Sequence, residues 1–330
     1  MKRTVWVASF LVLAGTIVSW KVGRAQEASS DTIKVDVDLV NVLASVRDKH
    51  GAFVNNLTKD DFQLYEDGKL QTIKYFTKET DLPLTIGMLV DVSASQQNLI
   101  EIERNAASQF FTQVIKKKDQ AFIISFGADS ELLQDLTNSP RLLQRALNDL
   151  KLNAGFQGIH PSTVPGADTP HGTVLFDAVY LAASDRLVHE VGRKVMVLIT
   201  DGGDQGSKLT WQKAVEASQK VDTVIYSIYY VDPGFYSRGR FGFGGGDKGV
   251  LQRMSTETGG HVYEVDRKHT LNNVFDELQE EMRSQYAIAY TPTNPEKDGG
   301  YRKLDIKLKD KDLKIEARKG YYAIKPGSEI

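Results

Sequence analysis

The chain has 330 residues, 41% of them hydrophobic and 25% charged, which is enough to bury the core of a folded protein of about two domains. This composition excludes a wholly disordered chain and a protein with many membrane spans. Its 41 basic and 43 acidic residues give a net charge of -2, which argues against nucleic acid as a partner. Because the sequence has no cysteine, it excludes disulfides, zinc–thiolate sites and cysteine nucleophiles.

The first 25 residues have the pattern of a secretory signal peptide. Lys2 and Arg3 precede an apolar run of 16 residues, Val5 to Trp20, and the small residue Ala25 follows it. We therefore predict a signal peptide at 1–25 and an exported protein that is periplasmic, secreted or associated with the cell envelope. The alternative is an uncleaved anchor, but 16 residues are short for a helix that needs about 20 to span a bilayer.

Residues 26–80 form the first predicted segment of the mature chain, and its pattern is all-β. From Ile33 to Val46 the residues read as extended, with apolar and polar positions alternating over most of the run. A short strand at 62–65 is followed by the hairpin turn Glu66-Asp67-Gly68-Lys69 and by a returning strand.

Residues 82–285 have a different pattern, in which buried strands alternate with helices. The run from Leu82 to Val90 is almost continuously apolar, as expected for a strand covered on both faces of a parallel sheet. Further elements of this kind follow: strands at 121–126, 195–200, 224–230 and 261–265, and helices at 100–114, 141–152, 173–188, 211–221, 250–257 and 271–283. The alternation predicts a doubly wound, mostly parallel α/β sheet flanked by helices.

Residues 286–330 return to the period of two that is typical of strands, for example at Leu304, Ile306 and Leu308. Neither terminal β segment is large enough to bury a face by itself. We therefore predict that 286–330 pairs with 33–80 in a smaller sandwich-like domain, into which the α/β unit is inserted. The alternative is two separate β appendages on the α/β unit.

The strongest chemical signal is Asp91-Val92-Ser93-Ala94-Ser95, directly after the predicted strand that ends at Val90. In an open α/β sheet, ligands bind at the carboxyl ends of the strands. One carboxylate and two hydroxyls at alternate positions form a cluster of hard oxygen donors suited to Mg²⁺ or Mn²⁺. Taken alone the segment has another reading, since a serine after a strand commonly caps the next helix.

Two further junctions favour the metal interpretation. Asp201 follows the predicted strand at 195–200, and Thr173 stands at the opening of the predicted helix 173–188. Three loops at one edge of a sheet can converge on a single cation. Two carboxylates and three neutral hydroxyls would leave a divalent ion short of one anionic oxygen, which an acidic residue of another protein could supply.

These motifs resemble the von Willebrand factor type A (VWA) domain and its metal-ion-dependent adhesion site (MIDAS), which has the form D-x-S-x-S, then a distant Thr and a distant Asp. The matching positions are Asp91, Ser93, Ser95, Thr173 and Asp201, all intact, and the resemblance covers roughly residues 82–285. It implies a VWA fold, a Mg²⁺ or Mn²⁺ cofactor held by these five residues, and a protein partner that presents an Asp or Glu carboxylate.

The flanking segments resemble those of a group of exported bacterial proteins, abundant in Acidobacteria, that is described only as related to this domain type. The resemblance depends on segments such as 57–62, 66–68, 301–303 and 319–322. One departure is His171, where family members often have a second glycine. It should not remove a ligand, and we expect it either to crowd the metal or to weaken metal binding below about pH 6.5, the pKa of free imidazole.

We therefore predict a non-enzymatic, exported binding or adhesion module without catalytic residues, nucleic-acid partner or membrane span after signal cleavage. Two alternatives are a structural envelope component whose metal only rigidifies the loops, and a metal-assisted hydrolase, for which no general base is evident. Two long loops, 153–172 and 232–248, are expected at the rim of the sheet. The second contains a G-x-G-x-x-G sequence at 244–249, too far from the preceding strand for a dinucleotide site.

Overall fold

The computed structural model describes residues 39–78, 82–153, 172–232, 234 and 246–325. The predicted signal peptide at 1–25, His171 and most of the two long loops lie outside these described residues. Within the described ranges, none of the helices has the length and apolar character needed to cross a membrane.

Residues 39–78, the described part of the N-terminal segment, form four strands, and the single returning strand that was predicted after the hairpin turn is divided into two. The four strands are β1 (Val40–Arg47), β2 (Phe62–Glu66), β3 (Lys69–Gln71) and β4 (Ile73–Lys78). The predicted turn joins β2 to β3, where Asp67 and Gly68 both have positive φ, 48° and 79°. Two positive φ values in succession give the tight hairpin turn whose twist matches the flanking strands.

The middle of the chain forms a six-stranded sheet and its helices. The strands are β5 (Leu84–Asp91), β6 (Gln120–Phe126), β7 (Ser130–Thr137), β8 (Arg193–Thr200), β9 (Thr223–Tyr229) and β10 (Val262–Glu264). The helices are α1 (Ile100–Val114), α2 (Pro140–Asn148), α3 (Leu175–Leu181), α4 (Trp211–Lys220), α5 (Lys248–Thr258) and α6 (Leu271–Arg283). The strand order is β10-β9-β8-β5-β6-β7, and all neighbours are parallel except β7, which is antiparallel to β6.

Helices cover both faces of this sheet, which explains why its central strands are almost wholly apolar. All eight residues of β5 are buried. One face packs against α1, α2 and α6, with Phe110, Leu147 and Phe275 in its core. The other face packs against α3, α4 and α5, with Leu175 and Met254 in its core.

The C-terminal segment forms β11 (Tyr286–Tyr290), β12 (Tyr301–Leu308), β13 (Lys314–Ala317) and β14 (Gly320–Tyr322). These strands pair with the N-terminal ones in two antiparallel sheets, ordered β13-β1-β11-β4 and β14-β12-β2-β3. Both sheets contribute to one core, in which Val42 and Leu64 pack with Tyr286 and Ile306. The structure thus confirms the predicted fold class, a mostly parallel α/β sheet with antiparallel sheets built from the two ends of the chain.

The structure differs from the sequence prediction at two places near the central sheet. Strand β7 was not predicted, because its residues are half-buried or exposed and show no clear alternation. The helix predicted at 173–188 begins at Leu175 and continues after α3 as π-helical turns from Ala182 to Leu187. Thr173 therefore precedes the helix instead of lying in its first turn.

Candidate metal centre

Two carboxylates lie at the same edge of the central sheet. Strand β5 ends at Asp91, and Asp201 directly follows β8. The two strands are adjacent and parallel, with Val90 opposite Ile199, so their carboxyl ends share one rim. This is the rim at which open α/β sheets bind ligands.

Asp91 is fully buried and is held in one orientation by two hydrogen bonds. Its Oδ1 accepts from the backbone N–H of Ser93 at 2.9 Å, and its Oδ2 accepts from Thr200 Oγ1 at 2.5 Å. Burial, and next the negative charge of Asp201, raise the pKa of Asp91 to about 7. The contribution of Asp201 agrees with the placement of both residues at the carboxyl ends of two adjacent strands.

The two serine hydroxyls of the first motif also lie together. Ser93 is extended and precedes a 3-10 turn, Ala94–Gln96, which folds the chain back so that Ser93 Oγ and Ser95 Oγ are 3.1 Å apart. Ser93 is buried and Ser95 is half-buried. The alternative interpretation of Ser93, a helix cap, finds no support here, since its side chain makes no capping hydrogen bond.

Thr173 lies in a loop that is fastened to the loop after Asp201. The Thr173 carbonyl accepts from the backbone N–H groups of Gln205 at 3.1 Å and Gly206 at 3.0 Å. The two loops are so close at this point that a Cβ on Gly206 would stand 2.1 Å from the carbonyl oxygen of Gly172. Thr173 itself is buried.

Asp201 is held by a tight turn that only glycine permits. Its Oδ1 accepts from the backbone N–H of Gly203 at 2.9 Å, and Gly202 has a φ of +80°. A Cβ on Gly202 would also stand 2.5 Å from the carbonyl oxygen of Asp247. The Gly-Gly sequence after Asp201 therefore fixes the carboxylate at the rim.

The donor set fits a hard divalent cation in its chemistry. Buried oxygen atoms of two carboxylates, with hydroxyls close by, are the ligand types of Mg²⁺ and Mn²⁺. Among the residues that the structure describes, no three His, Cys, Asp or Glu side chains form a group that could hold a metal. The predicted set has only two carboxylates, so its metal would also depend on Ser93, Ser95 and Thr173.

Sequence reasoning missed two residues that belong to this region. Thr200 Oγ1 donates to Asp91 and accepts from the N–H of Gly202, so it links the two strand ends. Glu103, on α1, is fully buried, and burial followed by the charges of Asp91 and Asp201 raises its pKa well above the usual value. The sequence contained a signal for Glu103, because this acidic residue interrupts the apolar face of α1.

Asp177 lies in the first turn of α3. Its carboxylate accepts from the backbone N–H groups of Lys208 and Leu209, both at 2.9 Å. Asp177 thus ties α3 to the loop after β8 and takes no visible part in the cluster around Asp91.

No family model and no curated protein matches this chain. Solved structures of similar shape include an aerotolerance-related membrane protein from Bacteroides fragilis, 17% identical over 60% of this chain and 98% of that chain, with a TM-score of 0.44. Proximal thread matrix protein 1 from the mussel byssus, solved with a zinc-occupied MIDAS motif, is 13% identical over 66% of this chain and 49% of that chain, with a TM-score of 0.48. The SpRpn10 VWA domain is 12% identical over 60% of this chain and 95% of that chain, with a TM-score of 0.39.

Proposed function

We propose that this protein is an exported binding module whose metal centre captures an acidic residue of a partner protein. Asp91, Ser93, Ser95, Thr173 and Asp201 would hold Mg²⁺ or Mn²⁺, and the ion would supply a positive charge for the partner's carboxylate. The observation that carries the proposal is the mutual approach of Asp91 and Asp201 at the ends of two adjacent parallel strands. The predicted signal peptide supports export.

The charge of the site favours a carboxylate as the group that is bound. Two buried like charges repel each other, and a divalent cation between them would remove that repulsion. The protein would then provide no more than two negative ligands to the ion. Because no paired acid and base were found in the sequence, we propose binding without catalysis.

The first experiment measures metal binding by calorimetry with Mg²⁺ and with Mn²⁺. We expect the wild type to bind one ion and Asp201→Ala to bind none, since the variant loses one of the two charged ligands. Asp276→Ala is the matched control, because Asp276 is an exposed aspartate on α6. Equal binding by wild type and Asp201→Ala would refute the proposed site.

The burial of four of the five residues favours a second candidate, a metal that only rigidifies the rim. Asp91, Ser93, Thr173 and Asp201 are each at most 8% exposed. Acetate distinguishes the two functions when it is added to the Mn²⁺-loaded protein. At a binding centre, the relaxation rate of water protons should fall as acetate occupies an open position on the metal. At a closed structural site, the metal should raise the melting temperature and acetate should have no effect.

A further inference from the structure

Glu103 is a buried acidic residue without a hydrogen-bonding partner. Its side chain is on the inner face of α1, one turn after Ile100 and one turn before Ala107, both of which are buried. Its exposure is 0%, and neither of its carboxylate oxygens has a hydrogen-bonding partner. Buried polar groups in folded proteins are almost always hydrogen-bonded, so an exception of this kind requires an explanation.

The surroundings of Glu103 are acidic. Besides burial, the charges of Asp91 and Asp201 raise the pKa of Glu103, and its own charge contributes to the raised pKa of Tyr230. Glu103 lies in the first turn of α1, and this helix begins nine residues after Asp91, so the geometry also places Glu103 near the rim. Glu103 is thus a third acidic group near this rim, where Asp91 accepts hydrogen bonds from the hydroxyl of Thr200 and the backbone N–H of Ser93.

A cation is the group that would balance this charge. An isolated carboxylate in an apolar interior is strongly disfavoured unless it is protonated or faces a positive charge. Glu103, Asp91 and Asp201 do not form a group that could ligate one metal, within the part of the chain that the structure describes. A cation held at the rim would thus sense Glu103 through its charge and not through a direct bond.

We propose that Glu103 is the buried counter-charge of the metal centre, a positioning residue that strengthens the binding of a divalent cation without being one of its ligands. This inference rests on the proposed metal site at Asp91 and Asp201. Glu103 would raise the negative charge near the ion from two to three, and it would do so from α1 without supplying a ligand.

The test measures two quantities, the dissociation constant for Mg²⁺ and the melting temperature of the metal-free protein. For Glu103→Gln and Glu103→Leu we expect Mg²⁺ affinity to fall by roughly 10- to 100-fold, the usual effect of losing a group just outside the ligands. The metal-free melting temperature should stay the same or rise, because each substitution removes a buried carboxyl group whose oxygens have no hydrogen-bonding partner. If glutamine packs poorly at this position, the leucine variant still allows the Mg²⁺ affinity to be compared with that of the wild type.

Two matched controls are glutamate-to-glutamine substitutions at other glutamates of the chain. Glu281 is equally buried but has three hydrogen-bonding partners, so Glu281→Gln should lower the metal-free melting temperature and leave Mg²⁺ affinity unchanged. Glu101 is exposed on the same helix as Glu103, and Glu101→Gln should change neither quantity.

Three outcomes would overturn the inference, and they differ in what else they overturn. If the wild type binds Mg²⁺ and both Glu103 variants bind it equally well, Glu103 is not a counter-charge and the proposed metal site stands. If the wild type binds neither Mg²⁺ nor Mn²⁺, the metal site fails and the inference fails with it. A lower metal-free melting temperature with unchanged Mg²⁺ affinity would assign Glu103 a purely structural role.

Discussion

Two fully buried glutamates mark two different regions of this protein. Glu281, on α6, lies where the central sheet meets the antiparallel sheets, and it accepts from Ser45 Oγ at 3.0 Å, Arg47 Nη2 at 2.6 Å and Tyr263 OH at 2.6 Å. Glu103, on α1, lies below the rim of the central sheet and has no hydrogen-bonding partner. The residue type and the burial are the same, and only the surroundings differ.

The difference shows how a buried charge can serve either structure or binding. At the junction, the negative charge of Glu281 is balanced by Arg47, so the folded chain itself supplies the charge partner. At the rim, Glu103, Asp91 and Asp201 place acidic groups together, and the pKa values of Glu103 and Asp91 are both raised. We therefore expect substitutions at the junction to destabilise the protein and substitutions at the rim to affect metal binding.

The largest effect is expected from Glu281→Ala. This change leaves the mostly buried guanidinium of Arg47 without its charge partner and removes the acceptor of Ser45 and Tyr263. We expect the free energy of unfolding to fall by about 3 kcal/mol, as for other broken buried ion pairs. Urea denaturation measures it, and Glu280→Ala, an exposed neighbour on α6, should change little. A loss no larger than that of the control would contradict the assignment of Glu281 to structure.

A smaller effect of opposite sign is expected from Asp91→Asn in the absence of metal. The pKa of Asp91 is about 7 in the folded protein, above its unfolded value, so the folded state binds the proton more tightly. The contribution of Asp91 to stability is therefore fully present below about pH 4 and is lost as the pH rises through about 7.

The asparagine variant lacks this titration. At low pH its stability should therefore be equal to that of the wild type or lower, and at pH 8 it should be higher. We expect a gain of about 2 kcal/mol at pH 8, because one pKa unit corresponds to about 1.4 kcal/mol and asparagine loses part of the hydrogen bonding to Thr200. Urea denaturation of the metal-free proteins at pH 5 and pH 8 tests this. A difference between variant and wild type that does not change with pH would be evidence against a raised pKa of Asp91.

The smallest effect concerns a second ion pair at the junction, between His261 Nδ1 and Glu316 Oε1, 3.2 Å apart. The hydrogen bond that His261 donates to Glu316 raises the pKa of His261 against the opposing effect of burial. Burial acts to raise the pKa of Glu316, but His261 and Arg47 outweigh it and lower that pKa.

The contribution of His261 should be fully present below about pH 6.5 and be lost as the pH rises through its raised folded pKa. Thermal melts of wild type and His261→Gln should therefore differ most near pH 6 and converge towards pH 9. The side chains are about a third exposed, so we expect less than about 1 kcal/mol. His189→Gln, at an exposed histidine, serves as the control, and a difference that grows with pH would contradict the interpretation.

Much of the fold was predictable because hydrophobic patterning specifies it directly. The unbroken apolar run of β5 and the alternation in β12 are each explained by the number of covered faces. The pairing of the terminal segments followed from their small size. Strand β7 escaped prediction because an exposed edge strand needs no apolar pattern.

The carboxylates of the metal centre were predictable from their positions after buried strands, but their surroundings were not. The hydrogen bond from Thr200 to Asp91 joins residues 109 positions apart in the sequence. The role of Glu103 depends on the direction in which α1 crosses the sheet, which the sequence does not encode locally. The side-chain placement of Thr173 as a ligand remains a prediction, as does the metal itself.

The pairing of the two terminal segments determines how the α/β unit is connected to the antiparallel sheets. Lys78, the last residue of β4, is the register partner of Tyr286, the first residue of β11. The polypeptide thus leaves the antiparallel sheets and re-enters them one strand spacing away, about 5 Å. A different inserted domain with similarly close ends would leave the pairing of β4 with β11 in place, but it would remove the junction contacts, among them the ion pair of Arg318 and Asp222 and the hydrogen bonds of Glu281.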